Sequence, residues 1–139
     1  MSSRRPAVLY WDSSAVLSSL VREGHTQETL RRLGAPGHHL IASLALVETH
    51  AVLSRMRKDN LLVEDELLRL RANLAAGPWE KVTAIPAAEL VPALAGRHRL
   101  RGADLWHLSL AVSLSRDLPE LRILTWDAQL RTAATAEGL

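Results

Sequence analysis

The chain of 139 residues contains no cysteine. Disulfides and thiolate metal sites are therefore excluded, and the absence agrees with a reducing compartment. Six histidines are scattered along it, and none falls at a zinc-ligand spacing. No apolar run approaches the roughly eighteen residues that a membrane span needs. The opening Met1-Ser2-Ser3-Arg4-Arg5-Pro6 and the short apolar stretch up to Trp11 are too short for a signal segment, and no small-residue cleavage site follows. A cytoplasmic protein with no membrane contact is expected. Lysine is nearly missing too: of 17 basic residues only Lys58 and Lys81 are lysines. Arginine makes bidentate contacts with phosphate and stacks on bases. At a net charge of +2, a nucleic-acid role requires those arginines to cluster. A coding bias on a solvated surface explains the count equally well.

What is present is the composition of an ordinary globular protein, 47% hydrophobic and 23% charged. The length suits one domain with one core, so residues 1–139 are read as a single domain. Short apolar runs alternate with segments of helical period. Ala7 to Trp11, His39 to Ala42, Lys81 to Ile85 and Leu121 to Thr125 read as strands. Helices are expected over Ser14–Glu23 (stopped by Gly24), Gln27–Leu33, Leu44–Met56 (capped by Ser43), Val63–Ala75, Pro86–Arg97 (Pro92 kinking it), Gly102–Ser115 and Ala128–Ala136. This order predicts an α/β fold, a three-layer α/β/α sandwich with a mainly parallel central sheet. Sites in such folds gather outside the carboxyl ends of the strands.

The chain has only six Asp residues, and three hold related places. Asp12 ends the first strand, Asp127 follows the fourth, and Asp104 lies in the first turn of an apolar helix. Each alone is also a good helix cap or dipole partner. Glu48 is different, because its helical neighbours Leu44, Ala45, Ala51 and Val52 are apolar. An unpaired carboxylate there costs several kcal/mol, so it calls for a buried partner such as an Arg, or for a cation. Four carboxylates in one pocket repel one another, and their pKa values rise without a counter-charge. Hard oxygen donors select Mg²⁺ or Mn²⁺. Such an ion acidifies water and shields charge on phosphate, so the chemistry that follows is phosphodiester hydrolysis.

These segments carry a resemblance. Tyr10-Trp11-Asp12-Ser13-Ser14-Ala15-Val16-Leu17 resembles the opening of PIN domains, especially of VapC-type toxins. Leu44 to Glu48, Gly102-Ala103-Asp104-Leu105-Trp106-His107 and Leu124-Thr125-Trp126-Asp127 resemble their later acidic motifs, in order and across nearly the whole chain. The resemblance implies a Mg²⁺- or Mn²⁺-dependent endoribonuclease acting on tRNA, rRNA or mRNA, a homodimer, and a VapB-type antitoxin that blocks the site. Asp12 and Asp104 would be the principal metal ligands, and Glu48 and Asp127 would complete a catalytic cluster. Ser14 and Thr125 would support it. Many relatives continue into a further strand where this chain has Glu137-Gly138-Leu139, so a final edge strand is expected to be missing.

Arg97, Arg99 and Arg101 precede Asp104 and could guide RNA phosphates. Arg55, Arg57 and Lys58 could do so as well, although cations at a helix C-terminus also answer its dipole. His107 shares a helix face with Asp104; it could assist the chemistry or bind metal, and structural packing beside the site is the favoured reading. His38-His39 is read as surface, and Trp11, Trp106 and Trp126 as core or interface. Apolar excess around Leu17–Leu20 and Leu61–Leu74 suggests a partner seam or simply a broad core stripe. The rival readings are a catalytically silent PIN-like module that binds RNA or protein, and a phosphatase of the haloacid-dehalogenase kind. The second needs an Asp where Ser14 stands.

Overall fold

The computed structural model describes residues 5–139. Met1 to Arg4, the start of the segment read as lacking a signal, lie outside them. Four strands form one sheet: β1 (Val8–Trp11), β2 (His38–Ala42), β3 (Trp79–Val82) and β4 (Leu121–Leu124). Every pairing is parallel and the order is β3-β2-β1-β4. Among the described residues seven helices surround it: α1 (Ser13–Leu20), α2 (Thr26–Leu33), α3 (Ser43–Lys58), α4 (Glu64–Ala76), α5 (Leu90–Arg97), α6 (Gly102–Ser115) and α7 (Ala128–Ala136).

The central strand β1 is buried along its whole length, as expected where helices cover both faces of a parallel sheet. Alternation then divides its side chains. Leu9 and Trp11 pack with Ile41 and Leu124 against Ala15, Val16, Ala45 and Leu74 of α1, α3 and α4. Val8 and Tyr10 pack with Leu40 and Leu121 against Leu110 and Ala111 of α6. Leu94, Leu108 and Leu130 join α5, α6 and α7 on that second face. Leu17 and Leu20 pack on Leu53, Leu62, Leu67 and Leu70. The apolar excess of α1 and α4 is therefore largely core stripe, with Leu61, Val63 and Leu68 left exposed.

Several boundaries differ from expectation. β3 lies at Trp79–Val82 rather than 81–85, because it follows the register of β2, from His39 opposite Trp79 to Ala42 opposite Val82. Trp79 also packs edge-on against Trp11, with ring centroids 5.0 Å apart. α5 starts at Leu90 rather than Pro86, after a turn in which the Leu90 N–H donates to the Ala87 carbonyl at 3.0 Å. Pro92 therefore falls in the first turn, where its missing N–H would be unpaired anyway, and no kink is required. Ser43 is the first helical residue of α3, and the extended Ala42 holds the cap position without a side-chain bond. α1 ends at Leu20, three residues before Glu23, where Val21 turns extended. His39 is buried rather than on the surface: the Trp11 indole N–H donates to its Nδ1 at 3.1 Å. Among the described residues β4 is an edge strand, and the Ile123 N–H on that edge donates to the Leu139 carbonyl at 3.4 Å.

Candidate acidic active site

Asp12 leaves β1 and caps α1 at once. Its Oδ1 accepts from the Ala15 N–H at 3.0 Å and from the Ser14 hydroxyl at 2.7 Å. Its Oδ2 accepts from the Thr125 hydroxyl at 2.5 Å. Thr125 stands just beyond β4, and its oxygen also accepts from the Asp127 N–H at 3.0 Å. Ser14 accepts in turn from the Trp126 N–H at 2.9 Å. Two hydroxyls thus fasten the ends of adjacent parallel strands to one carboxylate. Asp127 caps α7 through Oδ1 and the Leu130 N–H at 2.8 Å. The capping roles expected for Asp12 and Asp127 are real, and they coexist with a shared location.

Asp104 lies in the first turn of α6. Burial pushes its carboxyl above the usual range, and the charges of Asp127, Asp12 and Glu48 push it further, opposed by His107. The four acids therefore sit in one electrostatic field. Asp12 is only 3% exposed, and burial raises its pKa as well, against the hydrogen bonds from Thr125, Ala15 and Ser14 that lower it. Glu48 faces His107 rather than an arginine: His107 Nε2 lies 2.7 Å from Glu48 Oε1. On its other side, His107 Nδ1 lies 2.7 Å from the Tyr10 hydroxyl. Tyr10 is the residue that sequence reasoning overlooked. Its signal was present, since it precedes Asp12 by two and shares its face of the strand.

Among the described residues, no three His, Asp or Glu side chains converge closely enough to hold a metal ion as they stand. Asp12, Glu48 and Asp127 each turn an oxygen toward a protein group. The donor chemistry still fits a hard dication. All four groups are carboxylates; Asp12 Oδ1 already accepts two bonds, while Asp12 Oδ2 and the engaged oxygens of Glu48 and Asp127 each accept one and keep a second lone pair. Burial raises the pKa of both Asp12 and Asp104, and at Asp104 the neighbouring acids raise it further, a shift that a counter-cation would relieve.

The basic residues divide. Arg97 pairs with Glu137 at 3.2 Å. Arg97, His98 and Arg99 line an open cleft of about 400 Å³ with Ala128 and Gln129 at the start of α7. Arg101 is exposed at the cap position of α6, three residues from Asp104. In the second group, Arg57 pairs with Glu64 at 3.3 Å, and all three cations end α3, where the helix dipole favours them. Trp11 is core. Trp106 packs at the edge of the α6-side core. Trp126 stacks on the parallel His25 ring, 4.3 Å away, and the Arg131 guanidinium lies 5.0 Å from the indole.

A parallel α/β/α sheet with acids at the ends of β1 and β4 and on helices α3 and α6 is the arrangement of a PIN domain. No family model matches the chain. Two relatives match over nearly its full length, Ribonuclease VapC45 of Mycobacterium tuberculosis (strain CDC 1551 / Oshkosh) and Ribonuclease VapC49 of Mycobacterium tuberculosis (strain ATCC 25618 / H37Rv). Each is 30% identical, over 94% of this chain and 92% of the relative. The chain belongs to the VapC ribonuclease family. Solved structures agree in fold. VapC20 of Mycobacterium tuberculosis, a Sarcin-Ricin loop cleaving toxin, superposes with a TM-score of 0.61 at 12% identity, over 90% of this chain and 94% of its own. VapBC2 of Rickettsia felis, solved with a DNA fragment from its promoter, gives 0.58 at 14% identity, over 86% and 99%.

Proposed function

We propose that this protein is a Mg²⁺- or Mn²⁺-dependent endoribonuclease, the toxin of a VapBC-type toxin–antitoxin pair, with Asp12, Glu48, Asp104 and Asp127 as its catalytic cluster. The observation that carries the site is the field at Asp104, whose carboxyl is raised by burial and by the other three acids. Asp12 and Asp104 would hold the ion, with Glu48 and Asp127 completing its surroundings. When bound, such an ion supplies charge shielding at the phosphate and acidifies the attacking water.

The remaining work belongs to the chain. Ser14 in the first turn of α1 and Thr125 just beyond β4 fix both oxygens of Asp12, so that the carboxylate needs little reorganisation. Asp127, anchored through Oδ1, would orient the attacking water with its other oxygen. Arg99 and Arg101 would draw the RNA backbone toward the acids, and Arg97 would contribute less because Glu137 already pairs it. The RNA would be a tRNA, rRNA or mRNA. A VapB-type antitoxin and a second copy of the chain are the expected partners, and the exposed Leu61, Val63 and Leu68 offer apolar surface of the kind partners cover. A cytoplasmic location is part of the proposal; among the described residues, no helix is long and apolar enough to cross a membrane.

The test is Asp12→Asn. The purified variant should lose Mg²⁺-stimulated RNA cleavage, and unchanged cleavage would end the assignment of the site. One observation favours the silent binding module, namely that protein donors already engage three of the four acids. Calorimetry with Mn²⁺ separates the two readings, because a silent module shows no specific heat of binding.

A further inference from the structure

Beneath the acids lies a chain of side chains that no step above uses. The end of β1 and the start of α6 each carry two polar groups. Asp12 stands just beyond β1, and Tyr10 lies two residues earlier on the strand. α6 carries Asp104 in its first turn and His107 one turn deeper. The deeper pair is sealed, with Tyr10 at 0% and His107 at 1% exposure. The Tyr10 hydroxyl lies 2.7 Å from His107 Nδ1, and His107 Nε2 lies 2.7 Å from Glu48 Oε1. The rings of Tyr10 and His107 meet edge-on at 70°, and Trp106 meets His107 edge-on from another side. The imidazole is thus fixed in rotation by contacts and in hydrogen bonding at both nitrogens.

We infer that Tyr10 and His107 form a positioning relay that holds Glu48 by one oxygen and aims its other oxygen at the acidic cluster. This deepens the nuclease reading and rests on it for the activity arm only. The direction of the bonds follows from donor chemistry. An ionised carboxylate only accepts, so His107 Nε2 carries the hydrogen. A phenol can donate or accept, so Tyr10 satisfies Nδ1 without competing for that hydrogen. The relay matters because Glu48 is 29% exposed on its side chain. A glutamate in that position, left alone, would rotate freely over several rotamers. Tethering one oxygen to a ring that cannot move removes that freedom before RNA or ion arrives. Groups that orient a ligating carboxylate in this way typically alter affinity or activity by about 10–100-fold.

The experiment has two arms. In the first, ¹⁵N-resolved NMR of the imidazole is recorded on the metal-free protein, where a hydrogen on His107 Nε2 is expected. A ring carrying its hydrogen on Nδ1 alone overturns the relay whether or not the protein cuts RNA. The second arm measures kcat and KM for Mn²⁺-stimulated cleavage in H107L, H107Q and Y10F. H107L should lower kcat by roughly 10–100-fold with KM for RNA nearly unchanged. H107Q, whose amide restores a donor toward Glu48, should recover most of the loss. Y10F keeps the ring and the fold and should fall between them. Equal losses in H107L and H107Q, or loss in KM alone, would reduce His107 to packing and overturn the proposal. Wild-type protein without metal-stimulated cleavage would defeat the nuclease reading, and the NMR arm would still decide the relay.

Discussion

Thr125→Val removes one oxygen and keeps the shape of the side chain. In the folded protein that oxygen donates to Asp12 Oδ2 at 2.5 Å and accepts the Asp127 N–H at 3.0 Å. Thr125 is 2% exposed and Asp12 3%, so water cannot replace the donor cheaply. A hydrogen bond to a charged group contributes about 1.5–3 kcal/mol, and an N–H left without its acceptor adds to the cost. The half-buried Asp127 amide recovers part of that from solvent, which places the total near 2–4 kcal/mol. For 139 residues the unfolding entropy is roughly 0.3 kcal/mol/K, so the melting temperature should fall by about 7–14 °C. The pH dependence has a definite sign. Burial already holds the native Asp12 pKa above its ordinary value, and losing the Thr125 donor raises it further. The variant's deficit is therefore largest at neutral pH, where the carboxylate is charged, and shrinks as the pH falls through the raised pKa and the group takes up its proton. Thermal unfolding followed by circular dichroism in EDTA, at several pH values from about 8 to 4, measures both. A variant that melts within about 2 °C of wild type at pH 7.5, or a deficit that stays constant on acidification, would refute the reasoning.

Asp104→Asn should abolish cleavage yet stabilise the metal-free protein by a few degrees at neutral pH. The native pKa of Asp104 lies above its unfolded value, so ionising it costs stability as the pH rises between the two. The gain should vanish in acid, and melting curves at both ends of the range check it. R99Q combined with R101Q should weaken single-stranded RNA binding to the Asp12→Asn protein and reduce the salt slope by about 1.4, counting about 0.7 per lost phosphate contact. R97Q should change that slope less, because Glu137 already pairs Arg97; anisotropy titrations in a salt series measure all three. Trp126→Ala strips the stacking partner from His25 and the acceptor ring from Arg131. Trypsin should then cut faster after Arg22, in the α1–α2 connection, than in wild type.

The parts of the fold that were legible were those decided by local chemistry. The uninterrupted apolar runs before Asp12 and before Thr125 mark buried parallel strands, and the acids at their ends follow from strand-to-helix capping. What stayed hidden was decided by pairing across the chain. β3 slid two residues because the register of β2 selects Trp79, and the sequence around Gly77-Pro78 carries no trace of that choice. His39 looked like surface because its partner, the Trp11 indole, is 28 residues away. The expectation that Glu48 must have a partner was a sound inference from apolar neighbours. That the partner is His107, braced by Tyr10 across 97 residues, required the packing of α3 and β1 against α6.

The sheet order has a consequence for how the protein is made. The first strand lies between the second and the last, and the bond from Thr125 to Asp12 spans 113 residues. Until Leu124 has been synthesised, β1 lacks one flank, Asp12 lacks the hydroxyl on its Oδ2, and Asp127 does not exist. Contacts this distant along the chain form late, after the entropy of a long loop has been overcome. On the function proposed above, a polypeptide still emerging from the ribosome therefore lacks the complete acidic cluster.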